Sequence, residues 1–356
     1  MTVRVGVLGA GFMGSTHARA YHAMPGVEVA EIYAHSGNRA SVLAEELGTS
    51  WTDDLAAVLA DPVIDAVDIC LPSPQHRPAA EAAVAAGKHV LLEKPIAMTL
   101  ADADALVALA ASTGKVFMVA HVLRFWPEYV ELQARVASGE LGPTVSGFAS
   151  RRQAFPAWSA LFSQSDLTGG AVVDMMIHDY DALNWVFGAP TAVSARGERN
   201  PRSGGFDQVQ VLVDYAGGAS ALVDGGMTMP ESYPFSSRLE VLCARGAVEY
   251  EFRAGGRSVE MGTGVNALTL YPNAGDPERL HPAQADPYFA ECAYFVECVR
   301  EGRPASRATP ADARAALAVA LAARESIDRG GVRVGLSTIG VVGTPSSPSP
   351  RSPCAG

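Results

Sequence analysis

The chain has 356 residues, 48% of them hydrophobic and 18% charged, with a formal net charge of −11. At roughly 100–200 residues per domain this length suggests two domains with ample core, and the apolar content excludes a chain that is disordered throughout. An acidic balance without a dense basic cluster argues against nucleic acid or an anionic membrane as partner.

The five cysteines (Cys70, Cys243, Cys292, Cys298 and Cys354) are odd in number and form no C-x-x-C. Neither a disulfide framework nor a metal site is expected, and a reducing cytoplasm is the simplest setting. The first residues run into a strand-like segment with no signal-peptide pattern, and no apolar run reaches the ~18 residues of a membrane span.

Apolar, mostly β-branched runs at Val3–Leu8, Val27–Ala34, Ala66–Leu71, His89–Leu92 and Val116–Ala120 alternate with helical patterns at Phe12–Met24, Arg39–Leu47, Leu55–Leu59, Pro78–Ala86 and Leu100–Ala111. Continuous apolar strands separated by helices predict an α/β unit with a doubly wound parallel sheet over residues 1–121. The rhythm then changes. A helix is expected over Pro127–Ser138 and one long helix over Ala171–Phe187. Alternating strands follow at Val209–Tyr215, Ala219–Asp224, Arg238–Cys243 and Ala247–Phe252, then helices at Phe289–Arg300 and Pro310–Arg329, and a last strand at Val332–Leu336. Residues 122–336 therefore read as a second α/β domain with an open, mainly antiparallel sheet, whose last helix packs back on the first domain. Such a sheet, covered on one face only, is expected to pair with a second copy, as a homodimer or homotetramer. Residues 337–356, rich in Ser and Pro, read as a disordered tail.

Directly after the first strand stands Gly9-Ala10-Gly11-Phe12-Met13-Gly14. In G-x-G-x-x-G the first glycine allows a tight turn, the second lets backbone approach a pyrophosphate, and the third lets helix pack on strand. Where an acidic residue would read the ribose of NAD, the second strand ends Tyr33-Ala34-His35-Ser36-Gly37-Asn38-Arg39. Ala34 takes the acidic position, while His35, Ser36 and Arg39 offer donors to a 2′-phosphate, which favours NADP(H) over NAD(H). Lys94 ends a strand at its carboxyl side, where ligands gather in such sheets. Asp174 and His178 are four residues apart in a helical pattern, so both reach one pocket. An imidazole base, a carboxylate and an ammonium suit carbinol oxidation, in which a hydride and a proton leave together. His76 either contacts the cofactor or caps a helix. Trp158, Tyr288 and Phe155 are aromatic candidates for a sugar platform, and His121 stands near the active edge.

Asp68-Ile69-Cys70-Leu71-Pro72-Ser73-Pro74-Gln75-His76, followed by Ala86-Gly87-Lys88-His89-Val90-Leu91-Leu92-Glu93-Lys94-Pro95, resembles the Gfo/Idh/MocA family of NAD(P)-dependent sugar and cyclitol oxidoreductases. Gly169-Gly170-Ala171-Val172-Val173-Asp174-Met175-Met176-Ile177-His178-Asp179-Tyr180-Asp181 is similar to that family's second signature. The resemblance implies a Rossmann domain, a small sugar or polyol substrate, and catalytic roles for Lys94, Asp174 and His178. It implies a cofactor site drawn from Gly9, Gly11, Phe12, Met13, Gly14, His35, Ser36, Arg39, Leu71, Pro72, Ser73, His76, Glu93 and Lys94. Arg124, in a variant of an Arg-Phe-x-Pro segment, is expected to border nicotinamide or substrate, alongside His121, Trp158 and Tyr288. Two other readings stay open: a dinucleotide-binding regulator without turnover, and NAD-assisted glycosidase chemistry.

Overall fold

The computed structural model describes residues 2–256 and 264–336. The Ser/Pro-rich tail and Cys354 lie outside the described residues.

The first unit alternates β1 (Val3–Leu8), α1 (Phe12–His22), β2 (Val27–Tyr33), α2 (Gly37–Leu47), β3 (Ser50–Thr52), α3 (Leu55–Ala60), β4 (Ala66–Ile69), α4 (His76–Ala85), β5 (His89–Glu93), α5 (Leu100–Ser112) and β6 (Phe117–Ala120). The strands order as β3-β2-β1-β4-β5-β6, every pair parallel. β1, β4, β5 and β6 are buried almost throughout, because helices cover both faces of the sheet. The order reverses between β1 and β4, and the crevice at the carboxyl ends of these strands is where such folds bind ligands.

The second unit opens with a 3₁₀ turn (Val122–Phe125) and α6 (Pro127–Ala137). It continues with β7 (Thr144–Ala154), α7 (Ser165–Thr168), α8 (Ala171–Asp174), α9 (Ile177–Phe187), β8 (Pro190–Arg199), β9 (Phe206–Tyr215), β10 (Ser220–Met229), β11 (Ser236–Cys243), β12 (Gly246–Arg253), β13 (Val265–Pro272) and β14 (Glu278–Leu280). α10 (Pro287–Glu301), α11 (Pro310–Asp328) and β15 (Val334–Gly335) complete it. Nine strands order as β14-β13-β12-β11-β7-β10-β9-β8-β15, antiparallel except for the parallel β7–β10 pair. α10 lies against α1, and α11 is wedged between α5 of the first unit and α9 and β8 of the second. Arg314 of α11 reaches Asp104 of α5 at 2.8 Å. Pro at the first turn and acidic or hydroxyl caps start both helices: Asp286 accepts from Tyr288 and Phe289 amides, and Thr309 with Asp312 forms a reciprocal capping box.

Two expectations need correction. The long helix over Ala171–Phe187 is two helices, α8 and α9, separated at Met175–Met176. Both methionines are buried there, and Met176 lies against Gly225 of β10, so packing overrides a continuous helical pattern. β7 has no counterpart among the expected strands. It runs through Ser, Arg and Gln (Thr144-Val145-Ser146-Gly147-Phe148-Ala149-Ser150-Arg151-Arg152-Gln153-Ala154), and only Ala149 and Arg151 are fully buried, so it lacks the apolar alternation of its neighbours.

Candidate active site

At the β1–α1 turn Gly9 and Gly14 each have a distinct steric reason. Gly9 has φ +120°, and a Cβ there would lie 2.5 Å from the Cys70 carbonyl oxygen; a Cβ on Gly14 would fall 1.8 Å from that of Gly9. A Cβ on Gly11 would meet nothing within 4 Å, so its backbone faces open space at the N-terminus of α1. No side chain caps that terminus and no acid stands in its first turn. Free amides and the positive end of a helix in a glycine-lined opening fit a dinucleotide pyrophosphate.

Around this turn the strand order gathers His35, Ser36 and Arg39 after β2, Leu71, Pro72 and Ser73 after β4, and Glu93 and Lys94 at the end of β5. His35, Ser36 and Arg39 are exposed and Ala34 is buried. His35 lies edge-on to Tyr33, with ring centroids 5.4 Å apart. His76 has a structural task. Its two ring nitrogens lie 2.9 Å from the Pro95 carbonyl and 2.8 Å from that of Leu71, so its N–H is used inside the protein, between the β4 and β5 loops. Burial first of all lowers it to about pKa 4.

Lys94 crosses from the Rossmann sheet to the second unit. Its Nζ donates to the Asp174 carbonyl at 2.8 Å and to Asp174 Oδ1 at 3.2 Å, with 15% and 24% of the two side chains exposed. Gly170 brings the chain there. It has φ +74°, a Cβ on it would crowd the Phe206 amide and Asp207, and Asp207 Oδ1 accepts the Ala171 amide that starts α8. Because the helix breaks after Asp174, its carboxylate serves Lys94 rather than orienting the His178 ring. His178 Nδ1 has no partner among the described residues. Burial, and after it the Lys94 ammonium, Arg151 and His121, push this imidazole well below its ordinary 6.5. It is therefore an unprotonated base within reach of the Lys94 field.

Arg124 is turned inward. Its guanidinium grips Asp181 through two bonds of 2.8 and 2.9 Å and reaches Asp312 at 3.3 Å, so its side chain does not border substrate as expected. His121 is buried beside Asp181 at 3.6 Å. Two residues earlier on α9, Asp179 is gripped by Arg151 of β7 at 2.8 and 3.0 Å. Arg151 and Asp179 were not singled out in the sequence; two acids in a helix as buried as α9 are the signal that would have found them. Trp158 is 71% exposed and leans on the 56%-exposed Phe12 ring, 6.1 Å between centroids, at the lip above the glycine turn. Tyr288, at the start of α10, is half-buried and raised to about 12, first by burial and then by Glu93 and Glu291.

Beneath the turn lies a second charged group that the sequence reading did not assemble. His17, Asp68 and Glu291 are fully buried and Glu93 is nearly so. His17 Nδ1 lies 2.9 Å from Asp68 Oδ2, and the Tyr21 hydroxyl and Cys70 thiol donate to the same carboxylate at 2.8 and 3.2 Å. His17, Asp68 and Cys292 bring three metal-ligating atoms within 4.8 Å of one another. Asp68 already has three hydrogen-bonding partners, while His17 Nε2 has none among the described residues. The described cysteines, Cys70, Cys243, Cys292 and Cys298, are free, and among the described residues no helix is long and apolar enough to cross a membrane.

Residues 3–121 match the oxidoreductase family Gfo/Idh/MocA, NAD-binding Rossmann fold, and residues 129–249 match the Gfo/Idh/MocA C-terminal domain. The chain is 31% identical over 338 residues to scyllo-inositol 2-dehydrogenase (NAD(+)) of Bacillus subtilis strain 168, covering 92% of this chain and 95% of that one. Among solved structures, GenD2 from gentamicin A biosynthesis, in complex with NAD, is 27% identical with a TM-score of 0.81, covering 94% and 97% of the two chains. Levoglucosan dehydrogenase, in complex with NADH and L-sorbose, shares the fold at a TM-score of 0.84 and 22% identity, over 95% and 99%. With a relative above 30% identity along nearly its whole length and both domains matched, the chain belongs to the Gfo/Idh/MocA oxidoreductase family.

Proposed function

We propose that this protein oxidises a secondary alcohol of a sugar, cyclitol or sugar derivative, or reduces the corresponding ketone, with Lys94, Asp174 and His178 at the reacting carbon. The observation that carries the reading is the Lys94 ammonium, delivered from the carboxyl end of β5 onto Asp174 beside the unpartnered Nδ1 of an unprotonated His178. A bound nicotinamide supplies the hydride acceptor or donor. The chain supplies the rest. His178 accepts the hydroxyl proton, and Lys94 donates a hydrogen bond to the oxygen as negative charge grows on it. Asp174 holds the ammonium in line. Relatives whose names are dehydrogenases of inositol support a polyol substrate.

For the carrier, a scyllo-inositol dehydrogenase named for NAD(+) and the NAD complex of GenD2 support a nicotinamide dinucleotide in the glycine turn. At the ribose end, Ala34 in the acidic position and exposed Ser36 and Arg39 support NADP(H) as this chain's own preference. The test is a polyol and aldose panel run with both carriers on the wild type and on Lys94→Ala. Lys94→Ala is expected to lower kcat on the order of 10³-fold while dinucleotide affinity stays within about threefold. Near-wild-type turnover in that variant would remove Lys94 from the reaction, and tighter NADH than NADPH binding would overturn the carrier preference.

The outer face of the nine-stranded sheet exposes Val145, Leu212, Leu222, Leu242 and Tyr271, which suits a second copy of the chain as cover. A monomer's mass by light scattering at micromolar concentration would overturn a homodimer or homotetramer.

A further inference from the structure

We propose that His17 and Glu291 are positioning residues that act on the Lys94 ammonium through the carboxylate of Glu93. The proposal rests on the reading of Lys94 given above and extends it to His17 and Glu291, which lie outside the segments quoted for the family resemblance.

His17 lies on the inner face of α1, three residues beyond Gly14, with no exposed surface. One side of its ring is closed: Nδ1 meets Asp68, whose carboxylate is filled by Tyr21 and Cys70 as well. The other side is open. Nε2 faces Glu93 Oε1 at 3.7 Å and Glu291 Oε2 at 3.9 Å, too far for hydrogen bonds and close enough for strong attraction between buried charges. Neither oxygen of Glu291 has a partner among the described residues, nor has His17 Nε2. Glu93 Oε2 accepts the backbone amide of Lys94 at 2.9 Å. A chain of contacts thus runs from α10 through α1 to the end of β5 and into the residue that carries the ammonium.

The groups facing His17 are Tyr21 on its own helix, Asp68 on β4 and Cys70 just after it, Glu93 at the end of β5, and Tyr288, Glu291 and Cys292 on α10. Burial tends to strip the imidazole of its proton. Asp68, then Glu93 and Glu291, outweigh that and hold it at about 9. Burial raises Glu291 well above the carboxylate range and raises Glu93 as well, with His17 and Lys94 opposing the rise at Glu93. The imidazolium opposes the rise at both acids and so favours the ionised form of Glu93, whose Oε2 is aimed at the Lys94 amide. Without the imidazolium, three acids share one dry space, and their repulsion and desolvation disfavour the ionised Glu93 that accepts the Lys94 amide. A purely structural His17 would pack α1 on the sheet and leave Lys94 untouched.

The chain's only lysines are Lys88, Lys94 and Lys115, so three lysine signals report after reductive ¹³C-methylation, beside that of the terminal α-amine, with Lys94 assigned by its loss in Lys94→Arg. His17→Gln, Glu93→Gln and the double variant are compared with dinucleotide bound. His17→Gln is expected to lower kcat about tenfold with KM within about twofold, as a small misplacement at the reacting atom does, and to move the Lys94 signal and its titration. The double variant is expected to be no slower than Glu93→Gln alone, because one acts through the other. A His17→Gln enzyme that melts lower but keeps wild-type kcat and Lys94 signal overturns the proposal, as do effects that simply add. Should wild type oxidise no polyol, the redox reading fails, and the Lys94 signal still decides the positioning claim. Should His17→Gln not fold, Glu291→Gln keeps the packing and is read the same way: a shifted Lys94 signal supports the proposal and an unchanged one overturns it.

Discussion

Two groups of buried charge flank the cleft, and they are built on opposite plans. On α9, Asp179 and Asp181 are each gripped by an arginine through two short bonds, Arg151 from β7 and Arg124 from the 3₁₀ turn after β6. Under the glycine turn, one imidazole faces three carboxyl groups, and one of these, Glu291, has no bonded oxygen at all. The difference teaches what buried charge is for in each place. Paired forks leave no proton in question and fix one geometry, here the placing of α9 and hence of His178. An incomplete set holds its protons by mutual field, so its charge state responds to solution conditions and to its neighbours.

That contrast is broken most severely by Asp179→Ala, which leaves the Arg151 guanidinium buried without a counter-charge. A loss of about 3–5 kcal/mol in urea unfolding is expected, nearly independent of pH between 6.5 and 9. A loss below about 1 kcal/mol would mean that the fork is not what holds α9.

A smaller effect sharpens the contrast from the other side. His17 is raised from 6.5 to about 9 on folding, so its stabilisation is complete below pH 6.5 and is lost as pH climbs through about 9. Glu93 and Glu291 are raised as well, and their contributions also fall as pH increases. Through His17 alone, wild type should lose about 3 kcal/mol between pH 6.5 and pH 9.5, with the two acids adding to the fall. His17→Gln should flatten most of that slope. Equal stability of the wild type at both ends of this window would show that the group holds no extra proton.

The Rossmann half was legible because its signals are local. β1, β4, β5 and β6 are short continuous apolar runs, and the glycine turn follows the first of them directly. The second half was legible where strands alternate, as in β9 to β12, and illegible at β7, whose arginines and serines are accommodated by partners far along the chain: Asp179 for Arg151, Asp224 for Arg152, and Arg238 of β11 opposite Ser150. The single helix expected to carry Asp174 and His178 is interrupted at Met175–Met176, where Met176 packs against Gly225 of β10. Likewise Arg124 and His76, both plausible ligands as isolated polar residues near motifs, are consumed by carboxylates and carbonyls inside the protein.

Sequence alone determined the alternation of strand and helix, the glycine turn with its open second position, and the family to which Lys94, Asp174 and His178 answer. Those features depend on residues near one another in the chain, or on patterns repeated along it. Tertiary structure alone decided which polar groups remain free. The Lys94 ammonium reaches Asp174 across eighty positions of chain, and His17 meets Glu291 across more than two hundred. Partners so far apart leave no spacing to read, and whether a buried charge is satisfied, shared or available for chemistry depends on the partner it meets.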